Sequence, residues 1–192
     1  ALSATEVRLL SAVAQPSCPA PSAPGCGTVA VTGGTFTLGQ DGARGTRTPA
    51  PGVAVADFEL DVAEVTVARF RRFWNAGHPG VSDNRVRYPD GVDVPWDGAV
   101  REPLATTTLA ECNWSPAPGS REDHPVNCID WYTAQAFCVW DGGRLPTEAE
   151  FEYAARTAAN FTYPWGEDSP GTRACWSGVS PRSGTCAVAA FP

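Results

Sequence analysis

Three glutamates stand at alternate positions, Glu148, Glu150 and Glu152, directly after the turn Gly142-Gly143-Arg144-Leu145-Pro146-Thr147. Carboxylates this close can act as general acids, ligate a metal, or begin a helix. The spacing favours the last role. Thr147 followed three residues later by Glu150 forms a capping box, in which each side chain takes the other residue's backbone N–H. Pro146 and Phe151 have the spacing of a hydrophobic staple. Glu148 and Glu150 lie in the first turn, where the helix dipole favours anions by roughly 0.3–1 kcal/mol each. The expected apolar face of this helix is Phe151, Ala154 and Ala155.

The seven cysteines are the other reactive set, beside only two histidines, His78 and His124. The cysteines show no C-x-x-C zinc spacing, and two histidines cannot furnish a three-histidine metal site. A disulfide-forming compartment fits better, which means a secreted, periplasmic or cell-surface protein. An odd number leaves one cysteine with a partner elsewhere or as a thiol. His124, in Asp-His-Pro-Val, reads as a turn residue. Arg144 reads as the partner of a carboxylate on the following helix, and Trp165, in Tyr-Pro-Trp-Gly, as packed beneath a turn. Asn113-Trp114-Ser115 and Asn160-Phe161-Thr162 match the N-glycosylation sequon, a pattern that often arises by chance.

These residues must be held by a frame, and composition bounds it. A chain of 192 residues suffices for one domain with a real core. Apolar residues at 43% and charged ones at 18% suit a folded chain rather than a disordered one. Nineteen glycines and eighteen prolines imply short elements among many turns. A net charge of −7 without a basic run argues against nucleic acid and anionic membrane as partners. A protein or peptide partner is compatible with it. No stretch approaches the ~20 apolar residues of a membrane span. Residues 8–18 carry a short apolar run that hints at an export leader, and the chain starts at Ala1, as a processed protein or a fragment would.

Residues 1–27 read as a Pro/Ser-rich linker or leader remnant, and residues 28–192 as the folded portion. Thr28 to Gln40 alternates apolar and polar residues on both sides of Gly33-Gly34, the signature of a hairpin. A polar loop is expected over 41–52, and then alternation returns in Val53 and Val55, then Phe58, Leu60 and Val62, as a half-buried strand should show. The period changes in "TVARFRRFWNAG", a helix with Thr66 as N-cap and Gly77 just past its end. Residues 78–123, with Trp96 and Trp114, read as one long irregular loop. A second helix is expected after Asp130, its stripe formed by Trp131, Ala134 and Cys138 with Phe137 beside it.

These blocks carry a family resemblance. "HPVNCIDWYTAQAFCVWDGGRLPTEAEFEYAAR" and "YPWG" at 163–166 resemble the core signature of formylglycine-generating enzymes, the sulfatase-modifying-factor family. "VTGGTFTLGQ" resembles the family's opening strand motif, and "FELDVAEVTVARFRRF" its strand-then-helix segment. The resemblance implies an α+β fold, a loop-rich variant of the C-type-lectin-like architecture, incomplete at its C-terminus. It also implies an oxidase that uses copper(I) and O₂ to convert a substrate cysteine to formylglycine. The final residues, Cys186 to Pro192, resemble a stretch near the middle of family domains. The implied catalytic cysteine pair belongs to the half that follows, so no catalytic residue and no metal ligand is expected in this chain. Copper and calcium are expected only in a complete catalytic homologue. Calcium needs several hard oxygens, and Arg173 to Pro192 contains no Asp or Glu. The chain alone is expected to be inactive. The alternative is a secreted or surface-anchored, non-catalytic, lectin-like binding module.

The cysteines are expected to pair locally. Cys18 and Cys26 flank a Pro-rich turn, Cys112 and Cys128 the end of the long loop, and Cys175 and Cys186 a Gly/Ser/Pro loop. Cys138 is then the odd cysteine. The resemblance implies that its family counterpart bonds to a cysteine near the C-terminus of the complete domain.

Overall fold

The computed structural model describes residues 15–20, 22–39, 48–81, 85–88, 91–95, 99–176 and 184–191. Most of the leader reading, the 41–47 part of the polar loop and Trp96 lie outside these residues. The chain divides into two compact units, one of 1–27, 63–145 and 184–189, the other of 28–62, 146–183 and 190–192.

The second unit is built from four strands and a helix. Strands β1 (Thr28–Val31), β2 (Gly34–Leu38), β3 (Ala50–Val55) and β4 (Phe58–Asp61) precede a helix over Glu148–Arg156 in this unit. The hairpin expected between β1 and β2 does not form. β1 pairs with β4 and β2 with β3, both antiparallel, so the inner pair is nested in the sequence between the outer strands. Two-residue hairpin turns need positive φ, and neither Gly33 nor Gly34 is among the positive-φ residues. Gly33 serves a close approach instead. A Cβ built there would lie 2.2 Å from Val55 O, and its N–H donates to Asp57 Oδ1 at 2.8 Å. β3 begins at Ala50, so the last residues of the expected polar loop are strand. The alternation expected in Val53 and Val55 survives, half-buried and buried against exposed neighbours. Phe36, Val55 and Tyr153 form this unit's core, with Phe36 and Tyr153 edge to face at 5.4 Å.

In the first unit, helix α1 (Val67–Asn75) is capped by Thr66, whose side chain accepts from Arg69 N. His78 N donates to Phe73 O and Gly77 N to Trp74 O, closing the helix end with Gly77 at φ +88°. At the other end, Val67 N and Ala68 N are satisfied by His124 O and Glu122 O. The long 78–123 region is not wholly irregular: β5 (Arg85–Arg87) and β6 (Asp93–Pro95) pair antiparallel within it.

Helix α2 (Trp131–Trp140) starts at Asp130, whose side chain accepts from Thr133 N. It ends as α1 does, with Gly143 N donating to Cys138 O and Gly142 N to Val139 O. Its buried face differs from the expected stripe. Trp131 is 41% exposed, whereas Thr133, Gln135, Ala136 and Phe137 are buried. Polar partners turn this face inward. Thr133 Oγ1 accepts from Arg101 N, and Gln135 Oε1 accepts from Leu145 N. Phe70 centres the core, with Phe73, Trp114 and Phe137 around it at centroid distances of 5.5, 5.5 and 6.0 Å. Rings at these distances and angles add to their area burial.

Residues 15–27, read from the sequence as linker, are part of this unit. Ser17 is fully buried. A helix α3 (Glu148–Arg156) completes the element order, and its face also departs from expectation. Tyr153 is buried, while Phe151 is 63% exposed.

Candidate functional site

The three glutamates do not converge on a common point. Glu150 Oε2 accepts from Thr147 N at 2.8 Å and from Thr147 Oγ1 at 3.0 Å, while Thr147 Oγ1 accepts from Glu150 N at 3.2 Å. That is a complete capping box. Glu152 Oε1 accepts from Gly39 N and from Arg156 Nη1, tying α3 to the end of β2. Glu148 is exposed.

The cysteines are mostly consumed in bridges. Cys18–Cys26 and Cys112–Cys128 are disulfides with Cα separations of 5.8 and 5.7 Å. Cys175 and Cys186 are also disulfide-bonded. Cys138 keeps its thiol, half-buried on α2. It lines an apolar cavity of about 170 Å³ with Val65, Phe70, Val126, Phe137 and Leu145. Among the described residues no group of three or more His, Cys, Asp or Glu is placed to hold a metal ion. A copper(I) site built from a pair of thiolates does not fit a donor set with six bridged cysteines and one thiol in an apolar wall.

The remaining candidates resolve into structural contacts. His124 closes a turn, its N–H donating to Arg121 O, and its Nδ1 is 2.9 Å from Thr185 Oγ1. Arg144 Nη1 donates to Leu145 O, and its guanidinium sits over the Tyr88 ring at 5.5 Å. Trp165 stacks on Tyr163 at 5.3 Å and donates through Nε1 to Asp168 O. Asn113 is buried, and its Nδ2 donates to Pro125 O and Thr185 Oγ1, so this sequon's acceptor nitrogen is committed in the fold. Asn160 sits at φ +54° with its Oδ1 buried.

Sequence reasoning missed two buried arginines in α1. Arg69 is 2% exposed and pairs with Asp141 at 2.7 Å, a carboxylate just past the end of α2. Arg71 lies over the Trp114 ring at 4.5 Å and pairs with Glu122 at 2.7 Å. It also donates to Ser115 O and Pro116 O, so one guanidinium organises the 114–122 loop. Burial opposes the Glu122 charge, but the Arg71 hydrogen bonds, the Gly119 N–H and the Arg71 charge outweigh it. They hold the carboxyl below its usual range. The one local signal was the density of arginine in "ARFRRF", which ordinarily marks a solvated face.

Residues 14–189 match the family model described as the sulfatase-modifying factor enzyme 1-like domain. A formylglycine-generating enzyme of Streptomyces coelicolor is 34% identical over 213 residues, covering 91% of this chain and 65% of that protein. The mouse formylglycine-generating enzyme is 32% identical, covering 85% of this chain and 52% of its own length. A bovine protein named inactive C-alpha-formylglycine-generating enzyme 2 is 30% identical, covering 85% and 63%. The chain thus spans about half to two thirds of these relatives. A solved structure of CarF aligns over 79% of this chain and 67% of its own, with a TM-score of 0.46 at 19% identity.

Proposed function

From the premise that this chain belongs to the sulfatase-modifying factor enzyme 1-like family, we propose that it is the scaffold portion of a formylglycine-generating domain. In this reading the complete protein oxidises a cysteine of a sulfatase to formylglycine. The chain supplies the disulfide-locked frame, and the copper-binding thiols stand in the part of the domain that it does not span. The observation that supports this is the state of the cysteines: six are bridged, and the seventh is half-buried beside an apolar cavity. A frame with six bridged cysteines suits an oxidising compartment, so we place the protein as secreted, periplasmic or at the cell surface.

The test is direct. The chain is incubated with copper(I), O₂ and a cysteine-containing sulfatase peptide, and the peptide is read by mass spectrometry. Unconverted cysteine is the expected result, and formylglycine produced by this chain alone would sink the reading. A second reading is a non-catalytic member that binds a protein or peptide. A relative named inactive, at 30% identity, stands beside the relatives named as formylglycine-generating enzymes, at 32–34%. The full-length protein separates the two, because an oxidase needs a cysteine pair outside these residues and a binding module does not.

A further inference from the structure

The sites flanking the first disulfide converge on one buried charge. Ser17 precedes Cys18, and Gly25 precedes Cys26. Arg69 Nε donates to Ser17 Oγ at 2.9 Å, and Arg69 Nη1 donates to Gly25 O at 2.6 Å. Both ends of the bridged loop therefore grip the same guanidinium. The carboxylate paired with it is held by the same segment: Ser17 N donates to Asp141 Oδ1 at 2.7 Å and Ser17 Oγ to Asp141 Oδ2 at 2.8 Å. The two charged side chains are only 2% and 5% exposed. A buried pair is tolerable only when further hydrogen bonds surround it.

We propose that the Cys18–Cys26 bridge is a redox latch, holding segment 15–27 docked on the buried Arg69–Asp141 pair and releasing it when reduced. The reductant is a dithiol. It delivers two electrons and two protons, the S–S bond opens to two thiols, and the dithiol closes to its own cyclic disulfide. The bridge keeps Ser17 Oγ and Gly25 O at the separation one guanidinium can span. Once it opens, loop-closure entropy opposes that arrangement and the hydrogen bonds must meet it alone. Inside the loop the backbone bonds are Ala23 N to Ala20 O and Cys26 N to Ala23 O, and at its ends Cys18 N donates to Gln15 O and Gly27 N to Gln15 Oε1. These bonds must hold the segment once the bridge opens. Release of the segment opens the Arg69–Asp141 pair to water. Linkage runs both ways, so the docked pair must in turn protect the bridge.

Two measurements test the latch. Hydrogen exchange of the Cys18→Ser/Cys26→Ser double variant leaves Cys112–Cys128 intact. Peptides from 15–27 should exchange at least about tenfold faster than in the parent protein, while peptides from α2 keep their protection. Unchanged protection of 15–27, or loss of protection throughout the unit, overturns the proposal. In the second measurement, Ser17→Ala keeps every bridged cysteine, and the opening of Cys18–Cys26 and of Cys112–Cys128 by dithiothreitol is followed by differential alkylation. Cys18–Cys26 should open at least about tenfold faster than in the parent, with Cys112–Cys128 unchanged. Equal rates, or both bridges opening faster together, would show an ordinary staple with no coupling to the buried pair.

Discussion

At the scale of single residues, Glu150, Glu152 and Glu122 accept hydrogen bonds from within the fold. Thr147→Ala removes the Oγ that accepts from Glu150 N and should cost about 1 kcal/mol in chemical denaturation. Glu150→Gln keeps an oxygen that can accept from Thr147 N. It should be nearly neutral in stability and, in a complete active homologue, in rate. A large fall in rate with the fold intact would make Glu150 a chemical group after all. Glu122 gives a pH test. Its folded pKa lies below the usual value because the Arg71 and Gly119 hydrogen bonds and the Arg71 charge outweigh burial. A depressed carboxylate contributes stability above its unfolded pKa and loses it as pH falls through the folded one. Unfolding followed from neutral pH into the acid range should therefore show Glu122→Gln less pH-dependent than the parent. Parallel curves for the two proteins would count against the Arg71–Glu122 pair.

Helices and strands divide into what is local and what is not. Phe151→Ser should change stability by less than about 0.5 kcal/mol, because Phe151 is 63% exposed. Tyr153→Ala should cost about 3 kcal/mol, because it empties the place beside Phe36 and Val55. If the ranking reversed in urea denaturation, the assigned face of α3 would be wrong. The contrast also explains how far the sequence could be read. Thr66, Asp130 and Thr147 were recognisable at helix starts, and Gly77 at a helix end, because those contacts close within a few residues of chain. The buried faces of α2 and α3 were not legible. Thr133 is turned inward by Arg101 and Gln135 by Leu145, which pattern alone does not reveal. β1 and β2 were legible as strands but their pairing was not, β3 and β4 read as a single strand, and β5 and β6 fall in a region that read as irregular. β1 finds β4 rather than its sequence neighbour, since Gly33 packs against the Val55–Ala56 backbone instead of turning. Gly33→Ala tests that point: a Cβ 2.2 Å from Val55 O must shift the strand, so a marked fall in melting temperature is expected. A melting point equal to the parent's would put the strand crossing elsewhere.

Across the whole molecule, little regular structure is asked to hold long stretches of irregular backbone, and covalent bridges bear part of that burden. Cys112 is fully buried, and its bond to Cys128 closes a 16-residue separation ahead of α2. Trp114, Arg71 and Glu122 all lie on or against the loop so closed. Constraining a loop of this size in the unfolded chain is worth roughly 3 kcal/mol in the chain-entropy model. Cys112→Ser/Cys128→Ser should therefore lose about that much stability. The hydroxyls add polar atoms at a buried site, so Cys112→Ala/Cys128→Ala is the cleaner control. Similar losses in both variants would assign the cost to the bridge. The same architecture predicts a thiol count. Alkylation of the denatured, unreduced chain should label Cys138 alone, and the Cys18–Cys26 and Cys112–Cys128 peptides should appear as linked pairs. Label on any bridged cysteine, or Cys112 joined to another partner, would break the pairing. Repeating the map on the longest natural form of the protein asks what becomes of Cys138 there. A bond from Cys138 to a cysteine outside these residues would mean that the apolar wall it occupies here is where the rest of the domain joins the frame. A retained thiol would mean that Cys138 is core packing in its own right, as the apolar residues beside it already allow.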